Sequence, residues 1–585
     1  MSLSADPSAT PEKQAAPGRR WWAWRPASSE GWLLAATLLF LLVVALLPMV
    51  RLLLEVLTAL VGPSRDTVLA SLYSSSAVTA IQHSLEVGLG GTLLALLYGA
   101  AVASWVTLTR VRYRQWIVFA FVVQALLPPQ VVALAWLQLW TPLKLTMLEW
   151  GWSSIGSIGN PLQSRGGIIL LLGIHYAPLV FLTLRAGLLN VPPDVVEAAR
   201  VSGARPWQVM RRVIWPLTTP ALAAGGALAF VSCIGNFGIP AFLGIPADYL
   251  VLPTLIYREL SGFGPSVIPS AAVLSMVVGL LAGAGVLMQH LCTRRGHYQV
   301  ISQRLTEPPF QRPRGTDWLE GGLVVWVTLL LLAPLLALLA KSITPAPGVP
   351  LTLDTATAIH YAYVLADNDT TVRAFLNSIG MSVAAALVLS VVAVFLAYQL
   401  EYRRRPWLRR LVTLIELPYV IPGVVLAMAL ILLYLKPLPF TQISIYNTVF
   451  IIFIAYLARF LTIQLRPVIS GFQQLPTDML EAAEVFGAPL LRRLRLIVLP
   501  LLLPSVTAGA LLVVLLAMNE LTVSALLWST GAETLGVVVF SLEQGGESAA
   551  ASAIGVVSVG LTVTLMLLAS YWGRELPAGV LPWRA

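Results

Sequence analysis

The sequence predicts an all-α polytopic membrane protein of about 12 membrane-spanning helices, laid out as two parallel six-helix halves. Three observations carry this: long apolar runs, a lopsided distribution of basic residues and one internal repeat. Of the 585 residues, 57% are hydrophobic and 11% charged. The mean hydropathy is +0.82, a balance that excludes an ordinary soluble globular chain. A hydrocarbon core about 30 Å thick takes roughly 20 apolar residues as a helix. Runs of that kind fall at 31–54, 82–107, 115–140, 167–189, 217–240 and 269–292, then at 319–340, 375–400, 408–434, 444–465, 500–527 and 549–572. They are continuous, rich in Leu, Ala and Val, and about twice as long as a barrel strand, which excludes an outer-membrane β-barrel. Pro128 and Pro129, and Pro418 and Pro422, fall inside two of the runs. Membrane helices tolerate this where neighbouring groups re-satisfy the backbone.

These runs divide the chain into an amino-terminal tail (1–30), a first half (31–292), a linker (293–318) and a second half (319–585). The tail carries Trp21, Trp22, Trp24 and Arg25. Lacking a short apolar core followed by a small-residue cleavage site, it reads as a retained cytoplasmic segment with interfacial anchors. The Arg- and Pro-rich linker reads as a connector. With the amino terminus inside, 29 of the 37 Lys and Arg residues lie on the cytoplasmic side and 8 outside. The positive-inside rule therefore puts both termini in the cytoplasm. Arg110, Arg112 and Arg114, and the run Arg403, Arg404, Arg405, Arg409 and Arg410, decide it. The net charge of +10 is then an orientation signal that needs no nucleic-acid partner.

The repeat fixes the relation between the halves. Residues 191–225 and 475–509 align without a gap at a constant offset of 284. The identities pair Pro192 with Pro476, Asp194 with Asp478, Glu197 with Glu481, and Ala198 and Ala199 with Ala482 and Ala483. They continue with Gly203 and Gly487, Arg211 and Arg495, and Pro216 and Pro500. Both copies join the fourth and fifth helices of their half on the cytoplasmic side, so the repeat is parallel, not inverted. A weaker match has Asn377 and Ser378 opening the eighth helix as His83 and Ser84 open the second.

Each copy has the chemistry of a rigid knob. Asp194 with Glu197, and Asp478 with Glu481, have capping-box spacing. Gly203 and Gly487 suit a left-handed helix stop, and Pro206 and Pro489 suit the start of a second short helix. That second helix sets Trp207, Val209, Met210, Val213 and Ile214 against Arg211 and Arg212. Its copy sets Leu490, Leu491, Leu494 and Ile497 against Arg492, Arg493 and Arg495. The pattern predicts an apolar stripe on the membrane domain and arginines facing the cytosol. Each residue taken singly has a plain structural role as cap, stop or topology determinant. Their joint repetition at fixed spacing favours a docking element.

Both segments resemble the EAA loop of binding-protein-dependent ABC importer permeases: Glu-Ala-Ala, with Gly six and Pro nineteen residues after the Glu. The matching residues are Glu197, Ala198, Ala199, Gly203, Ile214 and Pro216, and Glu481, Ala482, Ala483, Gly487, Val498 and Pro500; Val498 is a soft departure. The resemblance implies two type I importer permease repeats in one chain. Each loop would be a coupling helix seated on one of two cytosolic ABC ATPase subunits, with an extracytoplasmic binding protein delivering substrate and the chain resident in the inner membrane. ATP and Mg would then be held by the partner ATPase, and no cofactor by this chain. The sequence has no G-x-x-x-x-G-K-[ST] loop and only four lysines, in keeping with a non-catalytic subunit. Fusion of two halves is similar to the ferric-iron permeases and the thiamine permeases related to them. The segments Asn236-Phe237-Gly238-Ile239-Pro240 and Asn519-Glu520-Leu521-Thr522-Val523-Ser524 look like that branch, although polyamine and phosphonate permeases share such text. Ferric iron is the expected substrate, with thiamine, polyamine or phosphonate compounds as alternatives.

Polar groups at membrane depth are the pathway or gate candidates, because burying them in lipid is expensive. These are Gln124, His175, Asn236, Glu416, Asn519 and Glu520. Glu416 reads equally as a tie between helices, and Asn236 and Asn519 as partners for backbone opened near Pro240. The five histidines are scattered without metal-ligand spacing, so no metal site is expected. Cys233 and Cys292 read as small packing residues. A secondary transporter of two six-helix halves is the alternative class, but it leaves the paired loops unexplained. A membrane enzyme lacks a recognisable catalytic set.

Overall fold

The computed structural model describes residues 29–62, 65–152, 159–262, 264, 266–294, 308, 310, 317–346, 348–415, 421–437 and 442–572. The principal helices form two matching series. The first is α1 Glu30–Val61, α2 Ser75–Leu108, α3 Arg114–Leu126, α4 Pro129–Glu149, α5 Arg165–Leu189, α6 Pro193–Val201, α7 Pro206–Gly235 and α8 Val267–Thr293. The second is α9 Asp317–Ser342, α10 Asp369–Tyr402, α11 Pro406–Ile415, α12 Gly423–Tyr434, α13 Val449–Phe472, α14 Asp478–Val485, α15 Leu490–Met518 and α16 Ser548–Leu568. Short helices Gly238–Leu243 and Leu252–Leu260 follow α7, and Ser524–Leu527 and Leu535–Gln544 follow α15.

Among the described residues, eleven helices are long and apolar enough to cross a membrane, where the sequence suggests twelve. The missing span is 408–434, and proline interrupts both it and 115–140, of which Pro129–Glu149 remains long enough to cross. The expected span 115–140 breaks at Leu127 and Pro128, both extended, with ψ of 137° and 132°. A residue before proline avoids the helical region, and Pro129 has no N–H with which to continue the ladder. The expected span 408–434 is likewise not one helix. Helix α11 is described as far as Ile415, and the short α12 starts after Pro422, ψ 140°. Glu416 and Pro418 lie between them, outside the described residues, as do the tail Trp/Arg cluster and most of the linker.

The starts of α2 and α10 also differ from expectation. Ser74 accepts from Ala77 N at 3.2 Å and Asn368 from Thr371 N at 3.1 Å, so these polar N-caps open the helices. His83 and Asn377 therefore sit inside their helices instead of opening them. Their pairing is nonetheless real. Ser84 Oγ accepts from Leu252 N at 2.8 Å and Ser378 Oγ from Leu535 N at 2.9 Å. His83 Nδ1 meets Leu250 O at 2.9 Å, and Asn377 Nδ2 donates to Glu533 O at 3.0 Å.

In each half α2, α5 and α7, or α10, α13 and α15, pack against one another. The first helix of each half crosses to the other. Helix α9 lies along α4 as well as α16, and α1 along α12 as well as α8. The crossing is pinned at the helix starts. Glu320 of α9 accepts from Arg112 N at 2.6 Å and Tyr113 N at 3.2 Å. Its counterpart Glu30 of α1 accepts from Arg403 Nε at 3.1 Å and Arg405 Nη2 at 3.3 Å. Each Glu-Gly pair at these starts, Glu30-Gly31 and Glu320-Gly321, thus ties one half to the α2–α3 or α10–α11 turn of the other.

Candidate functional site

Two features stand out: a pair of knobs at one end of the bundle, and a cavity where the halves meet. In each knob a short helix stops on a left-handed glycine, Gly203 at φ +80° and Gly487 at φ +72°. The bonds around them are the same. Gly203 N donates to Arg200 O and Ala204 N to Ala199 O, at 3.0 and 3.1 Å; Gly487 N donates to Glu484 O and Ala488 N to Ala483 O, both at 3.0 Å. This is the Schellman arrangement, which a residue with a Cβ enters only under strain. Nothing lies within 4 Å of where either Cβ would be, so each glycine is required by its backbone and faces open space.

The expected capping boxes do not form. Pro192 and Thr477 are the N-caps, neither with a side-chain cap bond. Pro193 opens α6 ahead of Asp194, and α14 opens at Asp478 itself, so both aspartates lie in the first turn, where they favour the helix dipole. The second short helix is not separate either: it runs on through a π turn into α7 or α15. Its apolar stripe packs inward, with Val209, Ile214, Leu490 and Val498 buried, while Trp207 and Leu491 remain exposed. Arg493 departs from the expectation that these arginines face solvent. It is 5% exposed and its Nη1 donates to Glu484 at 2.7 Å. Glu484 also accepts from Tyr402 Oη at 2.8 Å and Arg403 Nη2 at 3.1 Å. Burial alone would raise this carboxyl, but Tyr402, Arg493 and Arg403 hold it below its ordinary value. Through Arg403 the network reaches Glu30 of α1. Glu197, Ala198, Glu481 and Ala482 are exposed on the knob faces, and Ala199 and Ala483 are half-buried.

The cavity, of about 230 Å³, lies between the restarts of α4 and α12 and the ends of α7 and α15. Asn236, Asn519 and Glu520 line it together, as does His175. Asn236 Oδ1 accepts from Ile239 N at 2.8 Å and its Nδ2 donates to Tyr176 Oη at 2.6 Å. Asn519 Nδ2 turns to Leu515 O at 3.2 Å and Thr562 Oγ1 at 3.3 Å, and its carbonyl accepts from Gln130 Nε2 at 2.8 Å. Gln124 is not part of this lining; its Nε2 donates to Ile174 O at 3.0 Å, tying α3 to α5. Arg459, Tyr176 and Gln130 belong to the lining and are absent from the sequence-based candidates. Arg459 was legible in principle: it interrupts the apolar run of α13, 284 residues after His175. Gln130 carries no such signal beyond following Pro129.

The profile of the family described as binding-protein-dependent transport system inner membrane component matches twice, at residues 91–295 and 389–576. The chain belongs to this family. Each match covers most of one half and contains one knob, so the geometric repeat is also a repeat of family membership. Two of the similar curated proteins align over more than half of the chain. One is a probable ABC transporter permease, y4fN, of Sinorhizobium fredii, 28% identical over 61% of this chain and 63% of its own length. The other is a putative ferric transport system permease, FbpB 1, of Haemophilus influenzae, 26% identical over 64% of this chain and 58% of its own length. A putative 2-aminoethylphosphonate transport system permease, PhnU, of Salmonella typhimurium is 37% identical over 17% of this chain and 34% of its own. The chain thus spans less than two thirds of the length of the first two relatives.

Proposed function

We propose that this family member is the transmembrane, non-catalytic subunit of an ATP-driven importer, moving ferric iron handed over by an extracytoplasmic binding protein. The observation that carries the reading is the pair of knobs: two helix–glycine–helix turns with the same stop bonds, each presenting an exposed Glu-Ala pair. A separate ABC ATPase, present as two copies holding ATP and Mg, docks on them from the cytoplasm, where both termini also lie. Ferric iron is favoured by the name of one of the longer matches, the putative ferric transport system permease FbpB 1. The shorter, closer match to PhnU favours a phosphonate compound as the second reading.

The test is the double variant Gly203→Asp, Gly487→Asp, assayed with its ATPase and binding protein in proteoliposomes. Leaving glycine at a left-handed position costs about 1–2 kcal/mol per residue, and the new charge falls on the docking face. ATP-driven ferric uptake is expected to vanish while membrane insertion persists. Uptake at the wild-type rate would sink the docking assignment.

A further inference from the structure

The charged groups of the cavity are unevenly satisfied. Glu520 is engaged: its carboxylate accepts from Val523 N at 3.0 Å, Ser524 N at 3.2 Å and Ser524 Oγ at 3.3 Å. Arg459 approaches it at 3.8 Å, a charge contact beyond hydrogen-bond reach. The carboxylate is thus held by its own loop, chiefly through Oε2, while the guanidinium keeps its planar fork of donors at the cavity wall. The guanidinium nests against Gly423, the first residue of α12, where a Cβ would collide with Nη1.

Two further features share its sign. Helices α4 and α12 both restart at the cavity after their prolines, so their first-turn N–H groups and positive dipole ends lie at its edge. Independently, His175 lines the cavity, is 5% exposed, and has its Nδ1 buried without a hydrogen-bond partner. A bare trivalent cation asks instead for several free carboxylate or phenolate oxygens. The described lining offers one carboxylate, already engaged, and the hydroxyl of Tyr176, which accepts from Asn236. Among the described residues no group of three or more His, Cys, Asp or Glu could hold a metal ion.

We infer that the cavity grips its cargo through an oxyanion group, phosphate- or phosphonate-like. Arg459 supplies the fork, His175 a second donor, and the starts of α4 and α12 a positive rim. This rests on the permease reading and on the cavity lying on the transport path. If iron is the cargo, it crosses as an oxyanion-ligated complex, not as a naked ion.

The full chain, purified with its ATPase in nanodiscs, is tested by equilibrium dialysis against inorganic phosphate, methylphosphonate and sulfate. Ferric ion is presented in parallel from a hydroxamate chelate, with and without phosphate. Wild type is expected to retain an oxyanion saturably, Arg459→Met to weaken retention by about tenfold or more, and Glu520→Gln to tighten it. If Arg459→Met does not fold, Arg459→Lys replaces it, and weaker retention is expected because lysine lacks the bidentate fork. Retention of phosphate alone identifies a free oxyanion cargo, and retention only alongside ferric ion identifies a metal-borne one. No retained oxyanion, or equal retention by wild type and the Arg459 variant, overturns the inference. The permease reading fails separately, if the assembled transporter shows no ATP-driven uptake of any cargo.

Discussion

The two halves share a backbone and differ in where they keep charge. At the knob end Glu484 binds Arg403 and Arg493, where the first half has Arg200 opposite Val209. In the cavity Arg459 faces Glu520, where the first half has His175 and Asn236. At the far end Arg373 bonds Glu533 at 3.0 Å, where the first half has Thr79 and Leu250. The first half's own far-end pair, Arg165 with Glu86, is long and exposed at 3.3 Å, the kind of contact worth little. Duplication has therefore kept the elements that shape the chain, glycine stops and proline breaks. At each of these three places the second half sets opposite charges together, where the equivalent first-half positions do not hold two opposite charges. Equal shape with unequal charge predicts that backbone substitutions act alike in the two halves and charge substitutions do not.

The largest such difference is expected at the knobs. Glu484→Gln leaves the buried Arg493 without its carboxylate, at a cost of about 1–3 kcal/mol, and loosens the second knob from α1. It is expected to lower the thermal midpoint and cut ATP-coupled uptake several-fold. Arg200→Gln, on the exposed face of the first knob, is expected to leave the midpoint within the range of ordinary surface substitutions, about 0.5 kcal/mol. Equal effects of the two on thermal unfolding would show that the knobs are interchangeable in charge as well as in shape.

The backbone side of the comparison is sharpened by Ser84→Ala and Ser378→Ala. Both hydroxyls are buried and both satisfy a backbone N–H, of Leu252 and Leu535. Each loss is expected to destabilise by about 1–2 kcal/mol, with matching shifts in thermal midpoint. A shift in one half only would mean that the anchor has been replaced there.

How much of this was legible follows from the range of each interaction. The Schellman stops at Gly203 and Gly487 are local, made within six residues, and a gap-free repeat exposes them. The breaks at Pro128 and Pro422 are also local, yet long apolar composition on both sides hides them from a count of spans. The exchange of α1 and α9 rests on Glu30 and Glu320 reaching turns in the opposite half, a relation that no sequence period encodes. In the cavity, Asn236, Asn519 and Glu520 follow the repeated segments after α7 and α15 and were found together. Gln124 was indistinguishable from them by depth alone, because what separates it is the Ile174 carbonyl beside it. Arg459 needed the 284-residue offset to be extended beyond the strongest block of identity.

The smallest expected effect lies at the far end and is a matter of pH. Burial by itself would raise the Glu533 carboxyl, but Arg373, with the Gly531 N–H at 2.9 Å, holds it below its ordinary 4.5. A carboxyl with a lowered folded-state pKa adds stability that is complete above the unfolded value and is lost as pH falls through the folded one. Wild type and Glu533→Gln should therefore differ in thermal midpoint at neutral pH and converge as the pH drops below about 4.5. The first half has Leu250 at the equivalent place, so Leu250→Ala should give a difference from wild type without that pH dependence. A gap between wild type and Glu533→Gln that widens in acid would place the far-end charge elsewhere than on the Arg373–Glu533 pair.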